Sequence, residues 1–347
     1  MTTIFIHVGT HKTGSTTLQT FASRYRAELA EMGLIYPMEP ALLAKSTEKS
    51  HHGWAASVAV DKALATPTEA VDFIEDNVRS AHASGTNLLL SAESMYRLTK
   101  RVDERLDAPK TREGYVQHLR KVFEKHNIQV KPILVFRHPA DFIESLYKEW
   151  VWVAPRTRFR NFKEFRELML GREYGHLSYY KNAKILQKYF PDTQCYIFED
   201  LLDSGPLEVS FFKLLGIDVS QLPTVGRLRE STDALTTELK QLANTWHFEA
   251  SQNWKVFDWL QADETASKVK EAIGYGPFDL WASEEERSAF MADVAEQMKA
   301  LQTDFFPGRE ALFRTPKPLT GSPVPAFSEE IKTWLCEDAD KKGFLPN

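Results

Sequence analysis

A strand, a loop bracketed by glycines and a helix follow one another directly near the start of this 347-residue chain. The apolar run Ile4–Val8 predicts a buried strand, and the loop Gly9–Gly14 begins and ends with glycine. The predicted helix starts at Ser15, immediately after the loop. Such a junction binds anions, because consecutive backbone amides and the positive end of the helix dipole face one point. We therefore expect phosphate binding here.

The spacing of this loop imitates the nucleotide-triphosphate loop, whose pattern is G-x4-G-K-[ST]. Ser15 stands where that pattern has its lysine, and the lysine lies inside the loop at Lys12. A lysine at this place cannot reach β- and γ-phosphates in the usual way. It can lie beside a 5′-phosphate and the oxygen that links it to a transferring group. The alternative is an ordinary glycine turn.

Charge and cysteine content exclude several classes of protein. The net charge of −5 gives no global attraction to nucleic acid or to an acidic membrane. Cys195 and Cys336 lie far apart and outside any metal-binding spacing, which argues against a disulfide framework and a structural zinc site. The first strand starts too close to Met1 for a signal peptide, and no apolar run is long enough to span a bilayer. We expect a soluble, cytoplasmic protein.

Apolar runs that end in charged residues alternate with helical segments along the first two thirds of the chain. These runs are Asn87–Ala92 before Glu93, Pro132–Phe136 before Arg137, and Gln194–Phe198 before Glu199. The alternation predicts an α/β fold with a parallel sheet covered by helices on both faces. Because ligands lie at the carboxyl ends of the strands in such sheets, we expect the loop, Glu93 and Arg137 to converge.

The helix signals complete the predicted organisation. Expected helices span Ser15–Met32, Pro67–Ser84, Pro139–Trp150, Ser178–Phe190 and Pro206–Leu215, and the stretch from Ile35 through His51, His52 and Trp54 is expected to be irregular. Beyond about Arg227 the pattern is helical, with prolines from Pro316 to Pro325 before a terminal helix. We predict a nucleotide-binding core over residues 1–226, a helical extension packed on it over 227–315, and a linker with a terminal helix over 316–347.

A second anion site is predicted from Arg137 and Ser145. The arginine ends a strand, and the serine lies about two turns, or roughly 10 Å, into the next helix. An arginine that folds back and this serine can hold one phosphate dianion together. An arginine paired with a surface acid is the alternative.

These motifs together resemble those of sulfotransferases that use 3′-phosphoadenosine-5′-phosphosulfate (PAPS), in their bacterial and glycan-directed branches. The loop His11–Thr17 resembles their 5′-phosphosulfate loop, and Phe136–Pro139 followed by Ser145 resembles their 3′-phosphate motif. The likeness covers Ile4 to Ile217 and includes the block Tyr196–Leu201. A later segment, Arg227–Ser231, also resembles a nucleotide-contacting stretch, although Arg229 stands where an asparagine is common.

The resemblance implies a fold like that of the P-loop NTPases and sulfuryl transfer from PAPS, with 3′-phosphoadenosine-5′-phosphate (PAP) as product. Lys12 would stabilise the charge that grows on the bridging oxygen, as in phosphoryl transfer. The implied nucleotide-binding residues are His11, Lys12, Thr13, Gly14, Ser15, Thr16, Thr17, Arg137, Ser145 and Arg229. No metal is implied. The expected partners are the nucleotide donor and a small-molecule or glycan acceptor, first a carbohydrate or glycolipid.

An acceptor hydroxyl also needs a base, and three residues are candidates. His51-His52-Gly53-Trp54 resembles a histidine segment of glycan sulfotransferases, and the match is better with His52 than with His51 in the first place. Glu93, at the end of a strand, is the third candidate. A structural histidine pair and a carboxylate that caps a helix or pairs with Arg137 remain the alternatives.

Two other functions remain possible on the sequence. A P-loop kinase or NTPase would use the acids Glu199 and Asp200 at a strand end for a metal, but the serine at position 15 argues against it. A non-catalytic nucleotide-binding protein on the same fold is the other, and Lys12 with its candidate bases argues against that.

Overall fold

The computed structural model describes residues 2–40, 49–59, 67–101, 110–124, 126, 128–154, 157–172, 175–226, 232–246 and 248–345. These residues form two compact units that interleave along the chain. The first contains Met1–His138, Arg172–Leu228 and Glu296–Arg314, and the second contains Pro139–Gly171, Arg229–Ala295 and Thr315–Asn347. Within the described ranges, no helix is long and apolar enough to cross a membrane.

Strands and helices alternate through the first half of the chain. In chain order the strands are β1 (Thr3–Gly9), β2 (Leu34–Ile35), β3 (Asn87–Ser91), β4 (Lys100–Arg101), β5 (Lys110–Thr111), β6 (Gln129–Phe136), β7 (Gln194–Ile197), β8 (Phe278–Asp279) and β9 (Ser322–Pro323). The α-helices are α1 (Ser15–Arg24), α2 (Arg26–Glu31), α3 (His52–Ala59), α4 (Pro67–Ser84), α5 (Arg112–Glu124), α6 (Pro139–Val153), α7 (Phe162–Leu170), α8 (Tyr179–Tyr189), α9 (Phe198–Asp203), α10 (Leu207–Leu214), α11 (Ala234–Ala243), α12 (Asn253–Gln261), α13 (Asp263–Ile273), α14 (Glu284–Phe305) and α15 (Glu329–Lys341). Short 3₁₀ helices occur at Glu93–Tyr96, Asn244–Trp246 and Ala250–Gln252.

The first unit is built on a sheet in the order β2-β3-β1-β6-β7, and every pairing in this sheet is parallel. Every residue of the central strand β1 is buried. A strand without an exposed face needs apolar side chains on both sides, which explains the unbroken apolar runs in the sequence. The predicted α/β class with a parallel sheet flanked by helices is confirmed.

Helices cover this sheet on opposite faces. On one face, Phe5 belongs to the same buried apolar cluster as Phe21 of α1 and Phe211 of α10. On the other face, Phe136 stacks on Tyr179 of α8 with ring centroids 4.8 Å apart. This packing fixes α1 against the sheet, and it therefore fixes the loop that leads into α1.

Three local predictions differ from the structure. The first predicted helix is interrupted at Tyr25, whose φ of −109° and ψ of 34° are not helical. Phe198 opens helix α9 instead of ending the strand before it. His52 begins helix α3 and does not lie in an irregular loop, because the buried Glu39 carboxylate accepts hydrogen bonds from the backbone N–H groups of Gly53 and Trp54 and so caps that helix.

The second unit is mainly helical. Leu239 of α11, Val256 of α12 and Leu335 of α15 lie in one buried apolar cluster. Tyr147 of α6 donates a hydrogen bond of 2.8 Å to Glu238 of α11, and burial raises the pKa of this carboxyl to about 7. The predicted domain boundaries at residues 226 and 315 divide the chain into consecutive segments, whereas the two compact units each combine separate segments. The predicted boundaries therefore stay a prediction.

A methyl group added at Gly9 is expected to destabilise the fold more than the same change at Gly33. Both glycines have left-handed φ, 94° and 90°, so an alanine at either position carries a strain of about 1 kcal/mol. An added Cβ at Gly9 would lie 2.8 Å from Cβ of Glu93, whereas nothing lies within 4 Å at Gly33. We expect Gly9→Ala to lose about 1–3 kcal/mol more than Gly33→Ala in urea unfolding. Equal losses would show that the contact between Gly9 and Glu93 is relaxed at no cost.

Candidate active site

The loop between β1 and α1 has left-handed backbone at three positions. These are Gly9 with φ 94°, Lys12 with φ 62° and Gly14 with φ 75°. Among the residues that the structure describes, Lys12 is the one residue other than glycine that has a positive φ. A side chain held in this sparsely populated conformation carries strain, and such strain is concentrated at functional sites. The loop therefore presents its lysine at an energetic cost that the surrounding contacts must offset.

Hydrogen bonds tie the start of the loop to the neighbouring strand β6. The amide and the hydroxyl of Thr10 both donate to the carbonyl oxygen of Val135, at 2.9 and 3.1 Å. The Thr13 hydroxyl donates to the Thr10 carbonyl at 2.8 Å. Since this hydroxyl hydrogen is used inside the loop, a donated hydrogen bond from Thr13 to a phosphate would come from its backbone amide.

Helix α1 begins directly after the loop with no side chain capping it. Its first backbone hydrogen bond runs from Leu18 N to Gly14 O, at 3.1 Å. The amides of Ser15, Thr16 and Thr17 precede that bond and therefore have no acceptor within the helix. This is the donor arrangement expected of an anion site.

Arg137 contacts the loop from the end of β6. Its Nη1 donates to the carbonyl oxygen of Lys12 at 3.2 Å, and its guanidinium carbon lies 5.7 Å from the ring centroid of Phe198. The hydroxyl of Tyr179 donates to the Arg137 carbonyl at 3.0 Å. Arg137 and the backbone of Lys12 are thus in contact, as expected from their positions at the carboxyl ends of two parallel strands.

Two of the predicted nucleotide-binding residues are not placed in this site by the structure. Ser145 lies in α6 of the second unit, and the proposed sharing of a phosphate by Arg137 and Ser145 stays a prediction. Arg229 lies outside the described residues.

Glu93 lies at the carboxyl end of β3 and accepts two side-chain hydrogen bonds at one oxygen. Gln19 Nε2 lies 2.8 Å from Oε2 of Glu93, and His52 Nε2 lies 3.2 Å from the same oxygen. Burial by itself raises the pKa of the Glu93 carboxyl. The hydrogen bond from His52 and the charges that His52 and His11 carry when protonated act the other way, and the pKa lies below its ordinary value. Glu93 is therefore an ionised carboxylate at neutral pH.

The two adjacent histidines have different surroundings. His52 bridges two groups, because its Nδ1 lies 2.8 Å from Ser94 Oγ while its Nε2 faces Glu93. His51 is buried, with Nδ1 accepting from the Ser91 amide at 2.9 Å and Nε2 lying 3.0 Å from the Pro37 carbonyl. Burial lowers the pKa of His51 to about 4. His51 is thus a neutral ring that joins the backbone at Ser91 to the backbone at Pro37. It is not part of the catalytic group that we propose.

His11, next to Lys12 in the loop, lies in a group of basic side chains. Its ring centroid is 5.2 Å from that of His176, and Arg97 Nη2 lies 3.4 Å from its Nε2. Burial, with a smaller contribution from the neighbouring cations, lowers the pKa of His11 to about 4, while the charge of Glu93 opposes this shift. A neutral His11 at pH 7 can donate one hydrogen bond to an anion but adds no charge to the site.

Residues that sequence reasoning missed complete the polar network. Gln19 is buried on α1, where its amide donates both to Glu93 and, at 3.2 Å, to the Ser91 hydroxyl. Ser91 Oγ in turn lies 2.9 Å from His7 Nδ1. A glutamine inside the apolar stripe of α1 was a signal available in the sequence. The sequence contains no comparable signal for Ser94, since serine is a common residue at helix starts.

Comparison with protein-family models and with curated protein sequences finds no match. Among solved structures, the chain is similar to one described as retinol dehydratase in complex with androsterone and inactive cofactor PAP. The two are 12% identical over 90% of this chain and 82% of that chain, with a TM-score of 0.35.

Glu93→Gln is expected to destabilise the fold at neutral pH and to destabilise it less at acidic pH. A carboxyl whose folded pKa is depressed stabilises the fold above its unfolded pKa, near 4.3, and this contribution is lost as the pH falls toward the folded pKa. We expect the free energy of unfolding of Glu93→Gln to be lower than that of the unmodified protein by about 1–3 kcal/mol at pH 7, and this difference to become smaller below about pH 4.

The measurement is urea unfolding of both proteins between pH 7 and pH 3. Glu329→Gln serves as the matched control, because the side chain of Glu329 is 88% exposed and its ion pair with Lys332 contributes little. A difference that stays constant down to pH 3 would contradict the depressed pKa of Glu93.

Proposed function

We propose that this protein is a sulfotransferase that moves a sulfuryl group from PAPS to a hydroxyl or amine, with a carbohydrate or glycolipid as the first acceptor class to examine. The observation that carries the proposal is the placement of Lys12. It lies inside a strained anion-binding loop, its carbonyl is bound by Arg137, and the Glu93–His52 pair adjoins the start of the same loop.

The loop residues fit the donor end of this reaction. PAPS would supply a sulfuryl group activated by its bond to a 5′-phosphate. The amides of residues 13–17 would hold that phosphate, since α1 begins there without a side-chain cap. Lys12 would place its ammonium at the bridging oxygen and stabilise the negative charge that develops as the S–O bond breaks. Arg137 and Ser145 would hold the 3′-phosphate.

The Glu93–His52 pair fits the acceptor end. A carboxylate can only accept hydrogen bonds, so the His52 nitrogen that faces Glu93 carries a hydrogen. The carboxylate then fixes the tautomer of the ring and stabilises the imidazolium that forms when His52 takes a proton, as in other catalytic pairs of this kind. His52 is therefore the proposed base, and Glu93 orients it.

The contacts of Glu199 and Asp200 disfavour the rival kinase. Glu199 Oε1 accepts from the His138 amide at 3.0 Å, and Asp200 Oδ1 accepts from Arg309 Nη2 at 2.9 Å. Each acid thus already has a protein hydrogen-bond partner, which a metal ligand at that position would have to give up. A non-catalytic nucleotide-binding protein would have no use for a base beside the loop, which disfavours that rival.

Lys12→Ala is expected to lower turnover by roughly 10²–10³-fold while leaving PAP affinity within a few-fold, because the ammonium acts on charge that exists only in the transition state. The assay is transfer of labelled sulfate from PAPS to a panel of glycans, phenols and lipids. Lys12→Arg, which keeps a charge, is the control. Normal turnover in Lys12→Ala would exclude this role, and a preference for phenols over every saccharide would exclude the acceptor class.

Arg137→Ala is expected to weaken binding of PAP more than binding of adenosine-5′-phosphate, since only PAP carries the 3′-phosphate. Arg137 also holds the Lys12 carbonyl, so some loss for both ligands is expected from a looser loop. Ser145→Ala keeps that hydrogen bond and should weaken PAP alone. Calorimetry measures the affinity of the unmodified protein and of each variant for PAP, adenosine-5′-phosphate and ATP–Mg²⁺. Tightest binding of ATP–Mg²⁺ would favour the kinase instead.

A further inference from the structure

Four side chains from three separate segments form a continuous polar chain beside the loop. Gln19 of α1 donates to Glu93 at 2.8 Å, Glu93 faces His52 Nε2 at 3.2 Å, and His52 Nδ1 lies 2.8 Å from Ser94 Oγ. Gln19 is buried, and the other three are partly buried. The chain therefore runs from the interior of the fold at Gln19 to a hydroxyl group at Ser94.

The direction of the hydrogen bonds in this chain is fixed by its acid. The Glu93 carboxylate has no hydrogen to donate, so His52 Nε2 must carry one. A neutral imidazole has one N–H, and its lone pair is then on Nδ1. That nitrogen faces Ser94, so in the neutral ring the Ser94 hydroxyl donates its hydrogen to Nδ1, and the Ser94 oxygen can itself accept a hydrogen bond.

We propose that Ser94 relays the proton of the acceptor hydroxyl to Nδ1 of His52. The inference rests on the proposed sulfuryl transfer. Nδ1 is the only nitrogen of neutral His52 that can take a proton, and the Ser94 hydroxyl is its hydrogen-bonded neighbour. A base whose accepting nitrogen is covered by a hydroxyl receives its proton through that hydroxyl, or after displacing it.

The step balances without any further reactant. The acceptor oxygen forms its bond to sulfur while the bridging S–O bond of the donor breaks and PAP leaves with the electron pair. The acceptor proton passes to Ser94 Oγ, and the original Ser94 proton passes to His52 Nδ1. Ser94 ends unchanged, and His52 ends as an imidazolium facing the Glu93 carboxylate.

The remaining contacts explain why the proton is not routed directly to Glu93. Its Oε2 already accepts from Gln19 and from His52, which stabilises the ionised form. Gln19 also donates to Ser91 at 3.2 Å, so both hydrogens of its amide are used and the orientation of the amide is set. Gln19 is thus a positioning residue that holds the carboxylate, and through it the ring of His52.

The test is a double-mutant cycle on sulfate transfer with Ser94→Ala, His52→Ala and the combined variant. We expect Ser94→Ala to lower kcat about 10- to 100-fold with unchanged PAP affinity, and Ser94→Thr, which keeps the hydroxyl, to restore most of it. In the His52→Ala background, Ser94→Ala should cost nothing more, because the relay has lost its base. Ser57→Ala is the matched control, since the Ser57 hydroxyl donates to Gly53 O, one turn back in the same helix as His52.

Each other outcome has a distinct meaning. Wild-type turnover in Ser94→Ala, or the same loss with and without His52, would overturn the relay while leaving the sulfotransferase proposal intact. Absence of transfer by the unmodified chain to every acceptor would overturn both. Nitrogen-15 NMR of His52 gives a readout apart from activity: the neutral ring is expected to carry its hydrogen on Nε2, and a hydrogen on Nδ1 would overturn the relay.

Discussion

The hydrogen bond from Arg137 to the carbonyl oxygen of Lys12 joins the end of β6 to the loop after β1. Thr10 makes two more hydrogen bonds to β6, and on the other side the close approach of Gly9 to Glu93 leaves no room for a side chain. The loop is therefore held between the ends of β3 and β6. This clamp keeps a lysine in left-handed backbone, and it brings a lysine, an arginine and a carboxylate to one edge of the sheet.

Much of this arrangement could be predicted from the sequence. Unbroken apolar runs identified β1, β3 and β6 because strands buried on both faces have no alternating pattern. The rule that parallel strands end at one edge then placed Glu93 and Arg137 near the loop without any knowledge of side-chain contacts. The glycine pair and the position of Lys12 predicted the geometry of the loop between β1 and α1, because backbone geometry there depends on residues adjacent in sequence.

What could not be predicted depends on contacts between distant segments. Helix α3 exists where irregular structure was expected, because Glu39 caps it across a gap of fourteen residues. The hydrogen bond between Gln19 and Glu93 spans 74 residues, and the one between His52 and Ser94 spans 42. No periodicity encodes such pairs, since they form only once the sheet has placed its flanking helices. The different environments of His51 and His52 likewise follow from which ring the fold buries.

The interleaving of the two units has a consequence for how the chain folds as it is synthesised. Residues 296–314 belong to the unit that carries the loop, and there Arg309 binds Asp200 while Arg314 binds Asp203 at 2.8 Å. This last piece leaves the ribosome only after most of the other unit has emerged. The unit that carries the loop therefore cannot finish folding until residues 296–314 have been synthesised.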